Sequence, residues 1–131
     1  MIKPILEIRD KQGRLHFRRW RLFACPWFDV CLHNFQRADK DEHLHDHPWD
    51  FVSIVLKGSY IEESEAGPSF RRALSIARKK ATDLHKVAFL EAPSVWTLVI
   101  RSPRRREWGY KIGSYWVDHR TYREMKNAGS L

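Results

Sequence analysis

Histidines stand at every second position in the segment DKDEHLHDHPWDF, residues 39–51: His43, His45 and His47, three of the seven in the chain. A neutral imidazole is a good ligand for a divalent transition metal and exchanges protons near neutral pH. In an extended strand, residues two apart point to one side, about 7 Å apart. Leu44 and Asp46 would point to the other. Two neighbouring rings can converge on one ion, whereas three in a row span too far. The pattern therefore predicts an adjacent pair and one outlier. Pro48 cannot donate a ladder hydrogen bond, so the strand bends or stops pairing there.

A pair of imidazoles needs a third ligand from elsewhere. His85, in TDLHKVAFL, is the candidate. It lies on a later strand and shares its face with Val87 and Phe89, a core-like face. A hydrogen-bonded core histidine is therefore the competing reading. Three protein ligands with open positions is the arrangement of a catalytic metal. Asp50 is the nearest carboxylate and a candidate fourth ligand, and His43 is an alternative member of the pair. Two metal-free readings of the run stay open: solvated histidines on an edge strand, and an acid–base histidine paired with an aspartate. His16, His33 and His119 carry no spacing argument and read as structural or surface residues. The strand of His33 directly precedes the run and can lie near the pocket.

The elements that must position these side chains read as strands. Apolar and polar residues alternate in RLHFRRWRLF and FDVCLHNFQR. DFVSIVLKGSYIEE is a β-branched and aromatic run bent at Gly58, and SFRRALSIAR, DLHKVAFLE, VWTLVIRS, EWGYKI and SYWVDHR continue the series. Eight or more short strands are expected, separated by turn clusters such as EAGPS, EAPS and SPRRR. A short C-terminal helix is expected from Asp118, an N-cap residue, ending near a glycine, and a turn of helix near Pro26. The architecture is all-β, an antiparallel sandwich or jelly roll, with a ligand in the barrel mouth.

With 131 residues, one domain spanning 1–131 is expected, large enough to build a core without metal or disulfide staples. Any metal would then be functional rather than structural. No apolar run is long enough for a membrane helix or a signal peptide, so a cytoplasmic protein is expected. Cys25 and Cys31 make neither a disulfide framework nor a zinc knuckle, and Cys31 reads as a buried small hydrophobe. A net charge of +8 favours an anionic partner. The basic groups are scattered, and no stacking platform or recognition helix is visible, so a small anion is expected rather than nucleic acid.

Strands throughout, an H-x-H pair, a glycine about a dozen residues later and a histidine in a later strand resemble the cupin superfamily, the RmlC-like jelly rolls. In the first cupin motif, G-x5-H-x-H-x3,4-E-x6-G, the segment HDHPWDFVSIVLKG supplies His45, His47 and Gly58. Phe51 stands where the glutamate would be. The register with His43 and His45 as the pair puts Asp50 one position off the family spacing. Of the second motif, P-x-G-x2-H-x3-N, only His85 is present, with Phe89 at the asparagine. The likeness covers about residues 30–112, and HLHDHPWDFVSIVLKGSYIEE with VWTLVIRSPRRREWGY is also similar to small uncharacterised cupin-like proteins of bacteria and phages. The resemblance implies a double-stranded β-helix (a cupin barrel) and a metal site of His45, His47 and His85. Such a neutral three-His set resembles that of the cysteine-dioxygenase-type cupins. It suits iron, nickel, zinc or copper without choosing among them. The Asp50 option would make a two-His-one-carboxylate site. A homodimer is implied by the resemblance alone.

Six tryptophans are mostly core candidates. Trp49 follows the run and could wall the site, and Trp96, Trp108 and Tyr110 are further candidates for the pocket. Gly109 permits a bulge or a close backbone approach. Arg101 or Arg72 is expected to reach the barrel mouth and hold an anionic group. The function expected is a metal-dependent enzyme of oxygenase type acting on a small anionic molecule. The alternatives are a metal-free nucleotide-sugar isomerase or epimerase and a non-catalytic binding module.

Overall fold

A computed structural model describes residues 2–131. Eleven strands precede one helix: β1 (Leu6–Arg9), β2 (Leu15–Ala24), β3 (Asp29–Phe35), β4 (Phe51–Lys57), β5 (Tyr60–Ser64), β6 (Gly67–Arg71), β7 (Ile76–Lys79), β8 (His85–Leu90), β9 (Val95–Arg101), β10 (Gly109–Ile112), β11 (Tyr115–Asp118) and α1 (His119–Asn127). All strand pairs are antiparallel. One sheet has the order β1-β2-β3-β9-β4-β7, opposite a three-stranded β6-β5-β8 and a two-stranded β10-β11. The expected jelly roll is present.

The alternation that predicts the strands also builds the interior. On β3 and β9 the inward residues are Cys31 and His33, and Val95, Thr97, Val99 and Arg101, all buried. Val55, Tyr60, Val87 and Val95 form a core cluster with Phe35 and Leu90 against it. Each fully buried valine contributes about 2 kcal/mol. The outer face of the large sheet departs from the expected solvated pattern. Trp20, Leu32, Leu98, Ile54 and Ile76 form one apolar row across five strands.

Gly58 and Gly109 mark places where a side chain has no room. At Gly58 (φ +86°) a Cβ would lie 2.6 Å from the Ser94 carbonyl oxygen, and at Gly109 2.1 Å from that of Val117. The close approach expected at Gly109 is thus present. The Asp118 side chain accepts from the amides of Arg120 and Thr121, capping α1 as its residue type predicts. Near Pro26 the chain makes a turn closed by Cys25 N–H to Phe28 O, 3.0 Å, not a helical turn. Both cysteines are free, and Cys31 is buried. No helix among the described residues is long and apolar enough to cross a membrane.

Candidate metal centre

The histidine run is a short extended piece, with a single bridging residue, held between the two smaller sheets. His45 exchanges backbone hydrogen bonds with His85, 3.0 and 2.9 Å. On its other edge Asp46 N–H donates to Gly109 O and Lys111 N–H to Leu44 O, 3.0 and 2.9 Å. His47 N–H donates to Ala81 O, 3.0 Å. Asp46 points away from the two histidines and is buried, as period-two geometry requires. It accepts from Gly109 N–H (2.7 Å) and Trp116 Nε1–H (2.9 Å) and pairs with Arg106 (2.7 Å). This buried, paired carboxylate locks the run against β10 and β11 and aims His45 and His47 inward.

His45 and His47 meet His85 there. One ring nitrogen from each lies within 4.8 Å of the others. The Nε2 atoms of His47 and His85 are 3.2 Å apart. Nitrogens bonded to one ion at about 2.0–2.1 Å, with bond angles between octahedral and tetrahedral, would be roughly 2.8–3.4 Å apart. This spacing fits a shared ion. Burial pushes the His45 ring below its ordinary pKa. Burial, then the neighbouring His85 and His45, push His47 further below. Both rings are therefore neutral near pH 7, the state that donates a lone pair to a metal. His47 Nδ1 is buried without a partner, so the hydrogen-bonding contact of that ring is made through Nε2, toward His85.

Behind His85 stands a carboxylate that belongs to neither motif. Glu62 on β5 is buried, and its Oε2 lies 3.1 Å from His85 Nδ1. Its Oε1 accepts from Lys79 Nζ (2.7 Å) and Arg71 (3.3 Å). Burial alone would raise the Glu62 carboxyl, but the His85 hydrogen bond and Lys79 outweigh it and hold the group at about 2. An ionised Glu62 accepts a hydrogen bond from Nδ1–H, which holds the ring proton there and leaves His85 Nε2 as the lone-pair atom facing His47. The signal in the sequence was a glutamate at an inward position of a strand, visible only once β5 is paired with β8.

A bulge changes the face expected for β8. Ile61 pairs with Phe89 but Glu62 pairs with Val87, leaving Ala88 unpaired. Val87 stays inside and Phe89 turns out, 57% exposed, so His85 and Phe89 do not share a core face.

The other ligand candidates lie apart from the cluster. His43 Nδ1 hydrogen-bonds the Tyr122 hydroxyl (2.9 Å), tying the start of the run to α1. Asp50 Oδ1 accepts from Ala81 N–H (2.7 Å) and Oδ2 pairs with Arg105 (3.1 Å), so it braces a loop. Phe51 occupies the family's glutamate position, with its ring 4.7 Å from that of His47.

The three histidines line a cavity of about 770 Å³ whose walls include Trp49, Phe51, Trp108 and Tyr110. Tyr110 donates to Asp41 (2.9 Å) and stacks on Tyr122 of α1, with ring centroids 3.7 Å apart. Three expected pocket residues are elsewhere. Trp96 stacks on Trp20, 5.7 Å, on the outer face. Arg72 is exposed and outside the cavity wall. Arg101 forms a two-point ion pair with Asp29, 2.8 and 2.6 Å, and lines a separate pocket of about 320 Å³. The barrel-mouth role expected for Arg72 or Arg101 is therefore corrected: register turns Arg101 toward Asp29 on the adjacent strand. The arginine that does line the cavity is Arg19, whose Nε–H donates to His33 Nε2 at 3.0 Å. Burial, then the charge of Arg101, lower Arg19 to about 10.

No family model matches the chain, and no curated protein matches it in sequence. Solved structures do match it in shape. A cupin-2 domain from Rhodospirillum rubrum superposes with TM-score 0.64 at 13% identity, covering 95% of this chain and 84% of that one. A sugar phosphate isomerase of the cupin superfamily from Silicibacter pomeroyi gives 0.58 at 17%, covering 79% and 77%. The FeII form of HppE gives 0.61 at 12%, covering 77% of this chain and 59% of that longer one. These likenesses establish the cupin jelly roll. Within it lies a three-histidine cluster whose donor set and spacing fit a metal ion.

Proposed function

We propose that this is a metal-dependent cupin enzyme of oxygenase type, with residues 1–131 acting as one cytoplasmic unit on a small anionic substrate. His45, His47 and His85 would hold a divalent transition metal. The observation that carries this reading is the three-nitrogen cluster on a large cavity wall, with Glu62 behind one ligand. Structural metal sites are closed by four protein ligands, whereas three with cavity space beside them leave positions for substrate. The metal, when bound, would supply Lewis-acid or redox chemistry and a meeting point for substrate and O2. Neutral imidazoles suit iron, nickel, zinc or copper, and the likeness to the FeII form of HppE supports iron among them.

The protein's own residues have separate tasks. His45 and His47 stay neutral through burial, and Glu62 keeps the His85 proton on Nδ1. Phe51, Trp108 and Tyr110 wall the space and limit water. The cationic rim, with Lys11, Arg37, Lys40, Arg123 and Lys126, supports an anionic substrate.

The hydrogen-bonded pair of Glu62 and His85 also favours a second reading, a metal-free isomerase or epimerase in which this histidine moves a proton. Metal analysis of untagged protein separates the two. About one equivalent of transition metal supports the enzyme proposed. No metal, and none taken up on soaking, refutes it. In that case a thermal shift with nucleotide sugars in the presence of chelator would support the isomerase.

A further inference from the structure

The cations around the interior are neutralised one by one. Lys79 and Arg71 share Glu62, Arg101 and Arg21 share Asp29, and Arg106 pairs with Asp46. Arg19 has no carboxylate partner among the described residues. Its Nε–H is engaged by His33, and its guanidinium lies 5.3 Å from the Trp49 ring and 5.4 Å from that of Phe17. Both Nη groups remain without a hydrogen bond on the cavity side. A partly buried guanidinium with no counter-ion is costly, and a bound anion removes that cost.

A second observation lies in the same row of the sheet. Arg19, His33 and Thr97 are paired across β2, β3 and β9, and all three line the cavity. Thr97 is 1% exposed, and its Oγ1 is buried with no hydrogen-bond partner. Two strand spacings, about 10 Å, separate the Arg19 and Thr97 backbones. Arg19 Nε–H reaches His33 on the strand between them, so the guanidinium leans from β2 toward β9. One small group can therefore meet both the Nη pair and the hydroxyl.

We propose that Arg19 and Thr97 form an anion subsite that takes the carboxylate of a small monoanionic ligand, with His33 as the residue that positions Arg19. The two Nη groups match a planar carboxylate in a two-point contact. A single unbalanced positive charge matches one negative charge, which favours a carboxylate over a phosphate dianion. The inference rests on the proposed anionic substrate but not on metal: it places the anion on a residue outside the histidine cluster.

The test uses chelator-treated full-length protein, so that metal occupancy cannot carry the result. Benzoate, benzamide and inorganic phosphate are titrated while tryptophan fluorescence is followed, Trp49 being beside Arg19. Saturable benzoate binding is expected, with benzamide and phosphate each about tenfold weaker or worse. Arg19→Gln should weaken benzoate by about tenfold or more, and Arg72→Gln, exposed and outside the cavity wall, should leave it unchanged. If Arg19→Gln does not fold, Arg19→Lys keeps the charge, loses the paired donors and should weaken benzoate at least about threefold. Thr97→Val should have a similar effect to the lysine variant. No benzoate binding, binding equal to native in the folded Arg19 variant, or phosphate bound more tightly than benzoate overturns the subsite. Failure of metal uptake leaves these results standing, and loss of benzoate binding leaves the metal site standing.

Discussion

Replacing Glu62 with glutamine keeps the shape and removes the charge. Glu62 faces two cations, Lys79 and Arg71, on Oε1, and His85 Nδ1 on Oε2. In the variant the single amide oxygen is claimed by the cations, because the amide NH2 cannot face them. The NH2 then points at His85, whose Nδ1 must become an acceptor. The ring proton moves to Nε2, the atom that faces His47, and that atom can no longer donate a lone pair to a metal. Loss of such an outer partner typically costs 10–100-fold in metal affinity, about 1.4–2.7 kcal/mol. The forced tautomer places Glu62→Gln toward the upper end. Global stability also falls, because two cations lose a buried counter-charge, by about 3 kcal/mol. Zinc affinity measured against a chromophoric chelator checks the first effect. Nitrogen-15 NMR of metal-free protein checks its cause, with His85 protonated at Nδ1 in the native chain and at Nε2 in the variant. Zinc affinity within twofold of native, with the His85 proton still on Nδ1, would refute the reasoning.

Alanine at His45, His47 or His85 should each reduce metal uptake below half an equivalent, while His43→Ala, which breaks only the Tyr122 contact, should retain it. Equal losses in all four variants would count against the chosen triad. Acid should destabilise the protein in two stages. His45 and His47 have lowered pKa values when folded, so below about 6.5 the unfolded chain takes up protons that the folded one refuses, and stability falls with pH. Glu62, held at about 2 against an ordinary value of 4.5, contributes about 3 kcal/mol that is present above 4.5 and is lost as pH falls toward 2. Melting temperatures of metal-free protein from pH 8 to 3 measure both stages, and a flat profile between pH 7 and 5 contradicts the first. Arg101→Gln should lower stability by about 3 kcal/mol through the broken Asp29 pair, read by urea denaturation, and leave zinc affinity unchanged. An equal loss of zinc affinity would place Arg101 at the site after all.

Local spacing alone determined a good part of this protein. Period-two alternation placed His45 and His47 on one side and Asp46 on the other, because a strand admits only two faces. Asp118 announced the start of its helix for an equally local reason, the hydrogen bonds its carboxylate accepts from the amides two and three residues on, those of Arg120 and Thr121. His85 and the glycine after the histidine run carried the resemblance that pointed to a cupin barrel. Strand register decided the rest. Glu62 serves His85 because β5 pairs with β8 through a bulge at Ala88, and that same bulge turns Phe89 outward. Arg19 and Arg101 are both inward arginines on strands of one sheet, alike in sequence. Asp29 lies opposite Arg101 across β3 and β9 and neutralises it, while Arg19 meets only His33. Which arginine keeps a free charge in the cavity is a matter of cross-strand partners, and those come from chain segments too distant for any local pattern to encode.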